Sequence, residues 1–248
     1  MKINSVITRI GALWLLSVPF AFAQTMDASG YDALLRARVT DGVVDYPAIA
    51  ADARLAGFIS ELAKPVTLNS REEKLVYYMN AYNALAIKGI LDGLSPGSFF
   101  GRQRYFKLTS YRLNGQEINL DSLEHKTIRP LNEPRAHFSI VCASRSCPRQ
   151  RSDAYTTAKL ETQLDENARG FINDNFRNRF DKQNRIANLS EIFKWFEEDF
   201  VKSAGSVQKF IARYVADPEV ARELAGDGYQ IKYIAYDWNL NGIPPPGK

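Results

Sequence analysis

Apolar residues between Ser70 and Asp92 fall on every face of the turn. The run LVYYMNAYNALAIKGIL is interrupted only by Asn80, Asn83 and Lys88. A helix that is apolar all round is one that other elements surround, so this run predicts a buried central helix. Ser70 with Glu73 forms a capping box at its start, and Gly93 supplies a left-handed stop. Shorter helical periods are expected at 30–39, 47–63, 120–129 and 156–176, and in EIFKWFEEDF, which Ser190 caps. Two short helices follow, the second opened by Asp217 and Pro218. Strand patterns are brief. Val43–Tyr46 reads as one, 105–119 as a hairpin turning at Asn114-Gly115, Ala136–Cys142 as a buried strand, 185–189 as another, and Tyr229–Tyr236 alternates. Helices come first and strands later and singly. That order predicts an α+β fold: a helix-rich domain whose buried central helix packs on a small, mostly antiparallel sheet.

The first residues change the picture of the compartment. Lys2 and Arg9 flank a start without acids, IGALWLLSVPF is apolar, and Ala21-Phe22-Ala23 suits signal peptidase. Residues 1–23 are therefore expected to be a signal peptide, with residues 24–248 a single exported domain of 225 residues, secreted and bacterial periplasmic in location. The apolar run is shorter than the roughly 20 residues a spanning helix needs, and no integral membrane segment is expected after processing. The chain has 32 basic and 28 acidic residues. With two bases in the leader, the mature excess is only +2, too mild to argue for nucleic acid.

Candidate chemistry is confined to one stretch. Both histidines and both cysteines of the chain lie between His125 and Cys147. Asp121 precedes His125 by four residues, on one helix face, where it can orient the imidazole. Glu124 is expected to point elsewhere. Cys142 ends the expected buried strand, and five arginines (Arg129, Arg135, Arg145, Arg149 and Arg151) surround it. Positive charge lowers a thiol pKa, and Arg129, Arg145 and Arg149 are candidates to hold an acidic substrate group. One reading is a thiol-dependent hydrolase or transferase acting on an amide or thioester, with Cys142 as nucleophile and His125, oriented by Asp121, as base. His137, five residues up the same strand from Cys142, would face the other way. An oxidising compartment also favours a Cys142–Cys147 disulfide, as a structural clip in a ligand-binding or accessory domain or as a thiol–disulfide redox pair. The spacings are not those of a zinc site; no metal and no other cofactor is expected. Asn80 and Asn83 share one face of the central helix. Buried amides need partners, and the two are expected either to lock the core or to support the His/Cys segment at a ligand site.

Several motifs in order carry a resemblance. VVDYPAI, YYMNAYNALAIKGIL, LEHKTIRP, HFSIVCASRSCP and YIAYDWNLN together resemble the domain-of-unknown-function family 547 (DUF547), over about residues 40–240. The resemblance implies that Asn80, Asn83, His125, Cys142, Cys147 and Asp237-Trp238 are signature positions. It implies no substrate beyond the small-molecule or peptide ligand with an anionic group that the residues suggest.

Overall fold

The computed structural model describes residues 26–245. The expected leader, residues 1–23, lies outside the described residues. In chain order the helices are α1 (Ser29–Arg38), α2 (Tyr46–Ala50), α3 (Ala53–Leu62), α4 (Arg71–Leu91), α5 (Phe99–Arg102), α6 (Leu120–Ser122), α7 (Leu160–Ile172), α8 (Ile192–Trp195), α9 (Glu197–Ala204), α10 (Val207–Ala212) and α11 (Pro218–Ala225). The strands are β1 (Val39–Thr40), β2 (Val43–Asp45), β3 (Tyr111–Leu113), β4 (Gln116–Ile118), β5 (Arg179–Asp181), β6 (Ile186–Ser190), β7 (Gln230–Ile234) and β8 (Gly242–Ile243). The fold is α+β. Its strands are divided among three small sheets, β1-β2-β8, β3-β4 and β5-β6-β7. The pairs β1–β2, β3–β4 and β5–β6 are antiparallel, whereas β2–β8 and β6–β7 are parallel. Among the described residues no helix is long and apolar enough to cross a membrane.

The central helix is α4, and its ends follow the local code. Ser70 and Glu73 form the reciprocal capping box, and Gly93 takes φ 91° just beyond the C-terminus. One apolar core wraps α4 with residues such as Leu34, Tyr46, Phe58, Leu62 and Leu123. A second gathers Phe138, Phe171, Phe193, Phe200 and Phe210. Residues 136–140 run along the seam: Ala136 and Ile140 join the first core and Phe138 the second.

That seam is where the sequence expectation fails. Ala136–Cys142 is not a strand. Pro134–Phe138 winds as a 3-10 turn, opened by Pro134 and capped by the Glu133 carboxylate. The backbone that follows is satisfied by α4 instead of a ladder. Asn83 donates its amide to Ser139 O at 2.9 Å, and its Oδ1 accepts the Val141 N–H at 2.8 Å. Asn80 repeats the device on Tyr155, at 2.9 Å in both directions. The two buried amides act as single rungs of a missing sheet.

Smaller departures have local causes. Gln103–Leu108 is π-helical, so the hairpin is restricted to β3 and β4 around Asn114-Gly115. Asp52 caps α3 and so divides the expected 47–63 helix. The aromatic helix breaks at Phe196, between α8 and α9. The chain's end closes on its beginning through β8 against β2. At Gly242 an added Cβ would collide with the Val44 carbonyl oxygen.

Candidate functional site

Leu120, Leu123, Glu124 and Ile128 are spaced to share one stripe of the helix that begins at α6, and the three apolar members are buried. From Leu123 to Ile128 this helix widens into a π turn, a feature common at functional sites. Glu124 turns inward, where it was not expected, while His125 stays on the Asp121 face. The Glu124 side chain retains 14% of its exposure. Burial, opposed by the Tyr82 hydroxyl at 3.4 Å and by Arg129, pushes its carboxyl up to about 7.

His137, at the end of the 3-10 turn, faces this carboxyl. Its side chain is 4% exposed, and Nδ1 stands 4.0 Å from Glu124 Oε1. Nε2 lies 2.8 Å from Asp199 Oδ2. Asp199 is gripped from its other side by the Arg129 guanidinium, at 2.8 and 3.0 Å. Burial alone would raise the Asp199 carboxyl, but hydrogen bonds from His137 and Arg129 outweigh it and hold the group well below the usual range. Burial also lowers the His137 imidazole, with Asp199 opposing, so the ring is neutral at pH 7. The neutral tautomer that suits Asp199 carries its hydrogen on Nε2. Nδ1 is then a bare lone pair, buried and without a hydrogen-bond partner among the described residues. Phe196 stacks on the ring at 3.9 Å and fixes its plane.

A cleft of about 250 Å3 joins these groups to the cysteines. Its walls include Glu124, His137, Cys142, Cys147, Tyr236 and Trp238. Cys142 and Cys147 are disulfide-bonded. Cys142 is half-buried and Cys147 is 3% exposed. Ala143 adopts φ 62° and turns the chain sharply after Cys142, a costly conformation for a residue other than glycine. The C-terminal run holds this loop in place. Arg145 N–H donates to Asn239 O at 2.7 Å, Asn241 N–H to Ala143 O at 3.1 Å, and Asp237 N–H to Ser146 Oγ at 2.9 Å. The Tyr236 hydroxyl reaches both sulfurs, 3.2 Å from Cys147 Sγ and 3.3 Å from Cys142 Sγ. The Cys142 N–H points at Cys147 Sγ at 2.9 Å.

The structure brings Asp121, His125 and Cys142 onto the walls of one cleft. Asp121 is 4.0 Å from His125 and also 3.7 Å from Lys107. His125 itself is 40% exposed, with Nδ1 accepting from Arg129 at 3.1 Å; partial burial lowers its imidazole, Asp121 opposing. The candidate anion-binding arginines are occupied elsewhere. Arg129 holds Asp199, Arg145 lies 3.6 Å from Asp237 and Arg149 lies 3.2 Å from Asp174, and none of the three lines the cleft. The cations that do line it are Arg102 and Lys107. Asn83 stands behind the cleft and holds the backbone on either side of Ile140, whereas Asn80 holds Tyr155, which lines a different cavity. Glu124, Asp199 and Tyr236 were missed by sequence reasoning. For the two acids a signal existed, since both occupy positions of an apolar stripe: Glu124 with Leu120, Leu123 and Ile128, Asp199 with Phe196 and Phe200. An acid on a buried stripe needs a partner.

Other cavities are present in the fold. One of about 190 Å3 touches His137 from the side of Arg129, Asp199 and Lys202. A larger one, about 710 Å3, lies among Asp32, Glu73, Tyr77 and Tyr155 and holds no histidine or cysteine. Among the described residues no cluster of three His, Cys, Asp or Glu side chains is arranged to hold a metal ion.

No curated protein and no solved structure is significantly similar to the chain. A family described as "Protein of unknown function, DUF547" matches residues 66–172. That stretch holds the central helix, both histidines and both cysteines, and leaves VVDYPAI, Asp199 and the C-terminal run outside it. Over residues 66–172, the part that builds Glu124, His137 and the Cys142–Cys147 loop, the chain is similar to the DUF547 family.

Proposed function

We propose that this domain is a thiol-dependent hydrolase or transferase acting on an amide or thioester, with the Cys142–Cys147 disulfide as its oxidised resting form. The observation that carries this reading is the bare, buried Nδ1 of His137, in the same cleft as Cys142, on a ring whose other nitrogen is held by Asp199. That is the orientation a general base needs. His137, rather than the more exposed His125, is the base.

An external dithiol reduces the pair, becoming a disulfide itself and leaving two thiols. Nδ1 of His137 takes the Cys142 proton, and the thiolate attacks the substrate carbonyl carbon. A carbon–sulfur bond forms. The bond to the leaving nitrogen or sulfur breaks as His137 returns the proton to that atom. Water or an acceptor, deprotonated at the same nitrogen, then cleaves the thioester and frees the cysteine. Glu124, whose carboxyl is pushed up to about 7 and lies 4.0 Å from Nδ1, stabilises the imidazolium when it ionises. An acidic substrate group would meet Arg102 and Lys107.

The test is the alkylation rate of Cys142 against pH. Without reductant neither cysteine should react. After reduction Cys142 should label first, and His137→Ala should move its pH profile more than His125→Ala. A reduced wild type and His137→Ala with superimposable profiles would sink the mechanism.

A second reading is thiol–disulfide exchange. It is favoured by the two donors aimed at Cys147 Sγ, which would stabilise that sulfur as a leaving thiolate. Oxidation of a dithiol peptide, with no turnover of thioesters by the reduced protein, would select it.

A further inference from the structure

Residues 99–108 form one continuous helical element, α5 running into the π turn Gln103–Leu108. In this mixed helix positions four apart fall on nearly one line, because α and π turns take about 3.6 and 4.4 residues. Phe100, Arg104 and Leu108 share that line, and all three are exposed. Phe100 is 79% exposed, Leu108 73% and the neighbouring Phe99 63%, the largest values among the exposed apolar side chains described. The opposite side is anchored: Tyr105 is fully buried and its hydroxyl donates to Ala86 O at 2.8 Å. The element is therefore held rigidly with an apolar face in water. Contiguous exposure of that kind marks an interaction surface.

The charge of the segment identifies what it meets. From Ser95 to Gly115 the chain carries Arg102, Arg104, Lys107 and Arg112 and no acid. Arg104, between the two apolar ends of the stripe, has no carboxylate partner among the described residues. Inward of the stripe Arg102 lies over the Trp238 ring at 4.7 Å, and Phe106 contacts the same ring at 6.3 Å. Exposed phenylalanine and leucine beside arginine and lysine, with tryptophan behind them, is the composition that seats on an anionic lipid surface: rings enter the acyl boundary and cations meet the headgroups.

We propose that the 99–108 element docks this domain on an anionic membrane surface. Arg102, Gln103, Phe106 and Lys107 of the same element also line the His137–Cys142 cleft. Docking therefore places the cleft mouth at the lipid boundary, where an acyl group or a surface-tethered peptide reaches it. The inference rests on the exposed stripe and the cations beside it, and goes beyond the proposed chemistry.

The test is co-sedimentation of the purified protein with vesicles of phosphatidylglycerol and phosphatidylcholine, and with vesicles of phosphatidylcholine alone. Binding is expected only where phosphatidylglycerol is present. Phe100→Ser with Leu108→Ser should weaken it about tenfold or more. Arg104→Gln should weaken it less, with an effect that fades as salt rises. Both variants change solvent-facing side chains, and thermal melts matching wild type establish that they fold. Failure to bind phosphatidylglycerol vesicles overturns the proposal, as does binding that the double substitution leaves unchanged. A wild-type dimer that the double substitution makes monomeric, without vesicle binding, also overturns it and assigns the stripe to a second copy of the chain. The measurement needs no substrate, so its failure leaves the proposed mechanism standing.

Discussion

Glu124 lies under the Tyr82 hydroxyl with most of its surface removed from water, and its carboxyl is pushed up to about 7. In the unfolded chain the same group releases its proton near pH 4.3, roughly the value of a free glutamate. Between those two values the folded protein binds the extra proton. Stability therefore falls as pH rises through that window and levels off above about pH 7. The loss is on the order of 3 kcal/mol. Glu124→Gln removes it while keeping a partner for Tyr82. The variant should melt above wild type at pH 8, roughly one unit past the folded value, and the gap should narrow toward about pH 5. A gap that is the same at both pH values would mean that the folded protein holds Glu124 ionised. Asp199 is the contrasting acid. Its carboxyl is shared between His137 and Arg129, and it stays ionised throughout this range.

At the scale of elements, the central helix does more than fill the core. Asn83 supplies both a donor and an acceptor to the seam backbone between His137 and Cys142, and Asn80 does the same at Tyr155. Asn83→Leu keeps the branching and heavy-atom count of the side chain and leaves Ser139 O and Val141 N–H with one partner fewer each. The expected cost is about 1–3 kcal/mol, the penalty for orphaning buried polar groups. Urea melts of Asn83→Leu and wild type measure it, and coincident curves would show those hydrogen bonds to be idle. The second elemental device is the π turn at Leu123–Ile128. Asp121 and His125 remain neighbours across it at 4.0 Å, as regular helical spacing places them, while Glu124 joins the buried stripe of Leu120, Leu123 and Ile128.

At the scale of the whole molecule, the site lies where two cores meet. Phe138 stacks on Phe171 at 4.7 Å and on Phe200 at 5.7 Å, while its neighbour His137 faces the cleft. Phe200 follows Asp199 on α9, so one aromatic contact sets the spacing of the His137–Asp199 pair. Phe138→Ala is expected to cost about 3–5 kcal/mol through the cavity it leaves. Because the pair depends on that contact, the variant should also lose the pH-dependent alkylation of reduced Cys142 under conditions where it remains folded. Retention of the wild-type profile in folded Phe138→Ala would show the pair to be positioned by Arg129 and Phe196 without that contact.

Several features of this protein were legible along the chain. The capped central helix, the Asn114-Gly115 turn, the Asp217-Pro218 start of α11, the α+β class and the family resemblance rest on local spacing, and local spacing survives folding unchanged. The pairing of Cys142 with Cys147 is also short-range and was among the alternatives. Tertiary structure decided the rest. Whether residues 136–142 form a strand depended on a ladder partner, and Asn83, more than fifty positions away, replaced it. Which histidine is buried depended on the 3-10 turn at Pro134–Phe138, which forms where a strand was expected and carries His137 into the cleft wall. Asp199 and Tyr236 reach the site from distant segments, and the cluster of arginines around Cys142 is paired with acids scattered over the chain. The physical reason is one of range. Periodicity and capping are written within a few residues, whereas the partners that satisfy a buried polar group are chosen by the packing of segments far apart in sequence.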